Sequence, residues 1–175
     1  MSHDPSLPKP AVPKTAESAY RWTGAIAVTT AILAAGASIS SLLSGYHTDE
    51  AMIEQIRAAD TWSQYQAKSI KSSVLESKME LLPALGKEPS ATDTQNKARY
   101  EAEKETIKQT AAGLEKSADD HRRRHKVYGM AVSAFQIAIA LCAIGLLTKR
   151  TWFWMLSIAG GLAGVAVAVY GALPG

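Results

Sequence analysis

The chain has 175 residues, of which 47% are hydrophobic and 20% are charged, and its formal net charge is +3. Charged residues are missing from three runs, 22–47, 127–148 and 151–175, and each run is long enough for a transmembrane helix, which needs about 20 apolar residues. This distribution excludes a single soluble globular domain, and the single cysteine, Cys142, excludes a disulfide scaffold.

The N-terminal segment is polar and rich in proline. Each proline removes a backbone donor and restricts the residue before it, so residues 1–19 are predicted to form a disordered tail. The apolar run that follows exceeds the roughly 7–15 residues of a secretory signal core. We therefore expect an uncleaved membrane anchor.

Three transmembrane helices are predicted, over residues 20–45, 127–148 and 152–173. Aromatic residues stand at the ends of these runs, as amphipathic rings do at membrane interfaces. Apart from Arg21 at the edge of the first, no span contains Asp, Glu, Lys, Arg or His, which argues against a proton-coupled transporter. Only a short loop around Lys149 and Arg150 separates the last two spans, so we expect them to form a tight antiparallel pair.

The last span carries small residues at every fourth position: Gly160, Gly164, Ala168 and Ala172. Because lipid provides little hydrophobic drive between helices, association depends on close backbone approach, which small residues allow. This ridge is expected to be a packing face. It could contact the second span of the same chain or another subunit.

Residues 46–126 are predicted to form an extramembrane helical hairpin. Pro83, Gly86 and Pro89 interrupt an otherwise helix-favouring segment, and Ser90 and Asp93 can cap the helix that follows. The hairpin thus has two arms, 46–82 and 93–126, each roughly 50–55 Å long. The predicted fold is therefore all-α: three transmembrane helices with an antiparallel coiled-coil insertion between the first and second.

The seam between the arms is predicted from apolar heptads, which are typical of a coiled coil. The second arm shows two offset sets, Tyr100, Ile107, Leu114, His121 and Lys104, Ala111, Ala118, His125. The first arm shows a weaker seam, predicted at Ile53, Ile56, Asp60, Ser63, Ala67, Ile70, Val74, Ser77 and Leu81.

The apolar residues of this seam are too few to stabilise a two-helix hairpin by themselves, since most helix stability comes from tertiary packing. Trp62 and Tyr65 lie beside it and suggest a further surface to be covered. We therefore expect a homo-oligomer. Its assembly residues are predicted to be Asp60, Trp62, Tyr65, Ile107, Leu114, Gly160 and Gly164.

Three histidines, His47, His121 and His125, should meet where the arms reach the membrane and form an interfacial collar. Spacing of i, i+4 is compatible with metal binding, but a solvated or acid-paired collar is the favoured interpretation, and no metal or cofactor is predicted. A basic cluster, Arg122, Arg123, Arg124 and Lys126, directly precedes the second span. It is expected to contact lipid headgroups or to set the topology.

Other ligand classes find little support. The central segment has 14 Lys and Arg against 14 Asp and Glu, so nucleic-acid binding is not expected. No nucleophile elbow, phosphate loop or zinc pattern occurs. We therefore predict a protein that is not an enzyme and identify no small-molecule substrate.

Several segments resemble a bacterial membrane-protein family, the domain of unknown function 4337. The resemblance rests on an acidic Asp49-Glu50-Ala51, on Asp60-x-Trp62 with the run 65–71, on the His/Arg-rich run 121–125, and on runs 135–141 and 147–150. It covers roughly residues 20–173. It implies a bacterial membrane protein with this three-span layout and supplies no activity or site residue.

The sequence favours a structural or scaffolding homo-oligomer in the bacterial inner membrane, with the lipid bilayer and further copies as its partners. The alternative is a channel-like oligomer in which the first span lines the path and the hairpins form a vestibule. A metal-dependent enzyme at the collar is a third hypothesis. Five and six basic residues flank the two membrane sides, so the positive-inside rule barely separates the orientations, and the arginine cluster favours a cytoplasmic hairpin.

Overall fold

The computed structural model describes residues 14–173 of the chain, with side chains from residue 21 onward. This part contains three helices and no strand: α1 (Lys14–Ala84), α2 (Ala91–Thr148) and α3 (Thr151–Ala172). Each helix includes a segment long and apolar enough to cross a membrane. The prediction of an all-α chain with three such segments is therefore confirmed.

The predicted disordered tail is wrong for its last residues. Residues 14–19 belong to α1, while residues 1–13 lie outside the described part of the chain. The reason lies in the distribution of proline, because Pro13 is followed by no further proline before Pro83. The intervening sequence therefore contains nothing that removes a helical hydrogen bond.

The connection between α1 and α2 follows from its glycine and serine. Gly86 has a φ of 70°, which suits a residue without Cβ, and the amide of Lys87 donates to the carbonyl of Leu82 at 2.9 Å in a Schellman-type helix end. The helix restarts where Ser90 Oγ accepts from the amide of Asp93 at 3.1 Å. The predicted cap is thus confirmed.

The described chain divides into two compact units. Unit 1 comprises residues up to Leu42 and from Val127 onward, and unit 2 comprises Leu43–Lys126. Both α1 and α2 contribute residues to both units, and neither helix is interrupted at these boundaries.

Unit 1 has a small core centred on Phe135. A Cβ built on Gly36 of α1 would lie 2.9 Å from the ring, and one on Gly164 of α3 would lie 3.1 Å from it. A Cβ at the first distance would be closer than side chains pack, and one at the second would be unusually tight, so the two glycines allow three helices to meet around one aromatic ring. The buried core residues are Ile26, Leu33, Ala131, Phe135, Ala138 and Cys142.

Several polar groups within unit 1 are paired, whereas the buried Trp22 Nε1 has no hydrogen-bond partner in the described part of the chain. Trp154 Nε1 donates to Thr29 Oγ1 at 3.2 Å and so links α3 to α1. Cys142 Sγ lies 3.1 Å from Ser157 Oγ, which links α2 to α3. Thr29 Oγ1 donates to the carbonyl of Ala25 at 2.8 Å. Such pairing is what buried hydroxyl and indole groups require.

In unit 2, α1 and α2 contact each other in reversed chain order. Lys78 Nζ lies 2.9 Å from Asp93 Oδ1, and further along, Ser72 donates to Glu101 and Lys68 pairs with Glu103. At the other end, His47 meets His121. The predicted seam of the second arm is buried or half-buried, apart from the exposed His125, and Ala111 and Ala118 are 0% exposed.

The predicted seam of the first arm is wrong within the chain, because all nine of its residues are exposed. The face of α1 that is buried or half-buried is another heptad: His47, Ala51, Glu54, Ala58, Thr61, Tyr65, Lys68, Ser72, Leu75, Met79 and Leu82. Two features explain why this face of α1, and not the aliphatic one, packs against α2. Small residues such as Ala58 allow close approach, and Lys68 and Ser72 find charged partners on α2.

Candidate functional site

The histidines predicted to form a collar lie together at one end of unit 2. His47 Nδ1 on α1 is 2.9 Å from His121 Nδ1 on α2, and the ring centroids are 5.2 Å apart. A hydrogen bond between two Nδ1 atoms needs one proton, carried by one ring and accepted by the other. If both rings carried a proton at Nδ1, this bond would be replaced by repulsion.

His125 has a separate set of partners on α1. Its Nδ1 lies 2.9 Å from Ser44 Oγ and 2.7 Å from Thr48 Oγ1, and 3.1 Å from the carbonyl oxygen of Ser44. Since Thr48 Oγ1 also donates to that carbonyl at 3.0 Å, one histidine nitrogen joins two consecutive turns of α1. The arrangement holds this part of α2 against α1.

The environment of His47 favours its neutral form. Burial lowers the pKa of His47 below its usual 6.5, and the nearby His121, Arg124 and His125 lower it further, whereas Glu50 opposes the change. Burial penalises the charged imidazolium, and the neighbouring cations add repulsion. A neutral His47 is also the form that can accept or share the single proton of the pair.

Metal ligation was one hypothesis for this cluster. Within residues 14–173, no group of three His, Cys, Asp or Glu side chains is placed to hold a metal ion. The histidine pair offers two nitrogens, and a structural zinc site uses four ligands. The two Nδ1 atoms join α1 to α2 through a hydrogen bond.

The basic cluster is mostly exposed. Arg122 Nη1 lies 3.2 Å from Asp119, and its other terminal nitrogen donates to Gln55 at 3.4 Å. Arg123 and Lys126 are exposed, while Arg124 is half-buried near His47. The cluster therefore splits, with one arginine directed to the histidines and the others accessible to solvent or to anionic groups.

An open groove of about 430 Å³ lies beside Arg122 and His125. Its floor is mostly apolar, formed by Ala51, Met52, Ile56 and Ala59 with Thr48 and Gln55. Sequence reasoning missed this groove. The available signal was Met52 next to an aliphatic heptad, but the groove depends on which face of α1 turns away from α2.

The predicted assembly residues divide into two groups. Trp62 and Tyr65 are half-buried; Trp62 Nε1 donates to Glu115 at 2.8 Å and the two rings meet edge to face. Ile107 and Leu114 are half-buried on α2.

In unit 1, Gly160 lies against Ala138 and Gly164 against Phe135, so both glycines face α2 of the same chain. Asp60 alone stays exposed, and it accepts from Gln64 at 3.2 Å.

An exposed apolar surface runs along α1 in unit 2, on the side away from α2. Its largest members are Ile56, Ile70, Val74 and Leu81, each between 62% and 65% exposed. Two further open grooves, lined by residues such as Val74, Leu81 and Leu85, follow the same side. Asp60, Ser63 and Ser77 interrupt this surface, and its most apolar part is the stretch with Ile70, Val74 and Leu81.

Comparison with known families gives one match. A sequence model of the family described as Domain of unknown function (DUF4337) matches residues 22–174. Comparisons with curated proteins and with solved structures found no significant match. The matched range includes most of α1 and all of α2 and α3. The chain therefore belongs to the family of the domain of unknown function DUF4337.

Proposed function

We propose that the chain is a structural, scaffolding membrane protein that assembles with copies of itself through unit 2 and its membrane-spanning segments. One observation carries the proposal. In unit 2 the face of α1 turned to α2 consists of small and polar residues over most of its length, with Leu75, Met79 and Leu82 at one end, whereas Ile56, Ile70, Val74 and Leu81 remain exposed.

Energetics favour a cover for that surface. Burying one aliphatic side chain of this size contributes roughly 1.5–3 kcal/mol, and the interior of unit 2 uses alanines at Ala58, Ala111 and Ala118. The two arms form an antiparallel coiled-coil hairpin in this proposal. Its own seam is weak, and neighbouring copies supply the missing apolar contact.

The proposed location is the bacterial inner membrane, which the chain crosses three times. The helices are long and apolar enough for this, and the exposed Arg122, Arg123 and Lys126 suit anionic headgroups. We assign no catalytic activity, cofactor, nucleic acid or small-molecule substrate. The bilayer and further copies of the chain are the proposed partners.

The test is the mass of the full chain in detergent or in lipid nanodiscs. We expect one defined multiple of 18.7 kDa. Replacing Ile70 and Val74 together by Ser should shift the protein to smaller species. The control is Glu88→Ser, which changes an exposed residue of the α1–α2 connection. It should leave the mass of the complex unchanged. A wild-type chain that stays monomeric over a wide concentration range contradicts the proposal.

The channel-like alternative rests on the hydroxyl side chains of the first span. Ser38 and Ser41 are exposed and could face a path, whereas Ser40 is buried and Thr29 and Thr30 bond to the helix backbone. Two exposed serines are a short lining for a pore. Current across a planar bilayer containing the purified protein, reduced by Ser38→Leu, would favour this alternative, and silent bilayers would remove it.

A further inference from the structure

Two heptad surfaces face outward from unit 2, one on each helix. The α1 stripe consists of the nine residues predicted as the first-arm seam, from Ile53 to Leu81. The α2 stripe follows the same three-and-four spacing: Ala91, Gln95, Ala98, Ala102, Glu105, Gln109, Ala112, Lys116 and Asp119. Every member of both stripes is exposed.

We infer that copies pack side by side, with the α1 stripe of one copy against the α2 stripe of the next. This contact rests on the proposed function, because it specifies the surface through which the scaffold assembles. The partner of each stripe is thus a second copy of this chain.

The contacts inside unit 2 fix which residues of the two stripes stand at the same level. Ser72 meets Glu101 and Glu76 meets Lys97, so Val74, between them, is level with Ala98 to within about one residue, or 1.5 Å. By the same reasoning Ile70, between Lys68 and Ser72, is level with Ala102.

Copies anchored in one bilayer share one orientation, so rotation about the membrane normal relates them and keeps equal levels together. The α1 of one copy and the α2 of its neighbour then run antiparallel at the register that already exists within the chain. Stripe residues therefore meet in the same order from end to end.

At that register the two stripes are complementary in size. Ile70 meets Ala102, Val74 meets Ala98 and Leu81 meets Ala91, so large side chains on one helix face small ones on the other, as knobs require holes. The distal half of the α1 stripe thus gains a close-packed partner.

Charge selects this pairing over the symmetric one. Asp60 stands within about one helical turn, 5.4 Å, of the level of Lys116. If the α1 stripes of two copies met each other in parallel, Asp60 would face its own copy, which places like charges together and is unfavourable.

The area of one such contact is small for a protein–protein interface. From Ile53 to Leu81 the stripe is about 42 Å long, and a helix about 10 Å wide gives a face on the order of 400 Å². One contact joins one stripe from each of two copies and so covers about 800 Å² in total, about half of a standard interface, which is why the proposed assembly also uses the membrane-spanning segments. A contact that joins two different surfaces closes into a ring or continues as a chain.

Disulfide trapping between two differently tagged full-length chains tests the register. One chain carries Val74→Cys and the other Ala98→Cys, and mild oxidation in membranes should give a product containing both tags. Two controls use the same positions differently: Val74→Cys in both chains, and Val74→Cys with Ala112→Cys, about two heptads away. Neither should cross-link. The native Cys142 is 1% exposed and present in every sample.

A charge exchange between the two stripes provides a second test of the contact. Asp60→Lys should reduce the fraction of assembled protein severalfold, and adding Lys116→Asp to it should restore assembly. The contact is overturned, and the scaffold proposal left intact, if the wild type assembles but the cysteine variants give no product between positions 74 and 98. A product between two copies of position 74 would have the same meaning. A monomeric wild-type chain overturns both.

Discussion

A single proton shared by two imidazole rings sets the chemistry of the histidine cluster. His47 and His121 approach at Nδ1 to 2.9 Å, and His47 is only 9% exposed. Sequence reasoning brought these histidines to the same end of the two arms from their positions alone. The pairing of Nδ1 with Nδ1 was not predictable, because ring orientation depends on how closely α1 and α2 pack.

Acid should weaken this contact. The pKa of His47 lies below 6.5 in the folded chain, so the unfolded chain binds the proton more tightly. Stability is therefore complete above pH 6.5 and decreases as pH falls from 6.5 through the lowered pKa. In the His47→Gln variant, the midpoint temperature of thermal unfolding in detergent should therefore depend less on pH than in the wild type, between about pH 7.5 and about pH 5.

The control for this titration is His3→Gln, which changes a histidine outside the described residues and should keep the wild-type pH profile. Glu50 is the acid that opposes the lowered pKa of His47. If His47→Gln lost stability on acidification as steeply as the wild type, the titrating group would lie elsewhere.

Glycine at the Phe135 contact is the second residue-level feature. Adding a Cβ at Gly36 puts it 2.9 Å from the ring, closer than side chains pack, so Gly36→Ala should lower stability by about 1–3 kcal/mol, as overpacking does. Phe135→Leu in the same chain should recover part of the loss. Gly24→Ala, whose Cβ would meet nothing within 4 Å, is the control. Equal melting of the two alanine variants would contradict the contact.

At the scale of single helices, α1 shows what apolar periodicity can and cannot predict. The heptad of Ile56, Ile70, Val74 and Leu81 is present in the sequence, and those residues do share one face. Periodicity does not say what covers that face. A second heptad containing Ala58 and Ser72 turns to α2, because Ala58 allows close approach and Ser72 and Lys68 find charged partners there.

The orientation of α1 can be tested with two adjacent alanines. Ala58 is 1% exposed, whereas Ala59 is exposed. Ala58→Leu should therefore destabilise unit 2 by about 1–3 kcal/mol and speed amide hydrogen exchange around Ala111 and Ala118. Ala59→Leu should leave exchange at those positions unchanged. The opposite result would mean that the predicted aliphatic seam, and not the polar heptad, faces α2.

At the scale of the whole molecule, the apolar runs predicted the three helices well because length and charge alone decide which segments can cross a bilayer. The ends of α1 and α2 in the connection followed from Pro83, Gly86 and Ser90. Where the helices continue between units was not predictable. Neither a cap nor a helix breaker marks Leu43 or Lys126, so the sequence changes from apolar to charged without a change of backbone structure.

The last prediction concerns membrane topology. Three crossings put Lys87, between α1 and α2, and Lys149, between α2 and α3, on opposite sides of the bilayer, and the arginine cluster favours a cytoplasmic Lys87. In intact bacterial cells a membrane-impermeant maleimide should label Lys149→Cys, and Lys87→Cys should react only after permeabilisation. The unsubstituted chain, whose Cys142 is buried, should not react. Labelling of both cysteines from one side would contradict three crossings, whereas an exchange of sides would keep the crossings and reverse the orientation.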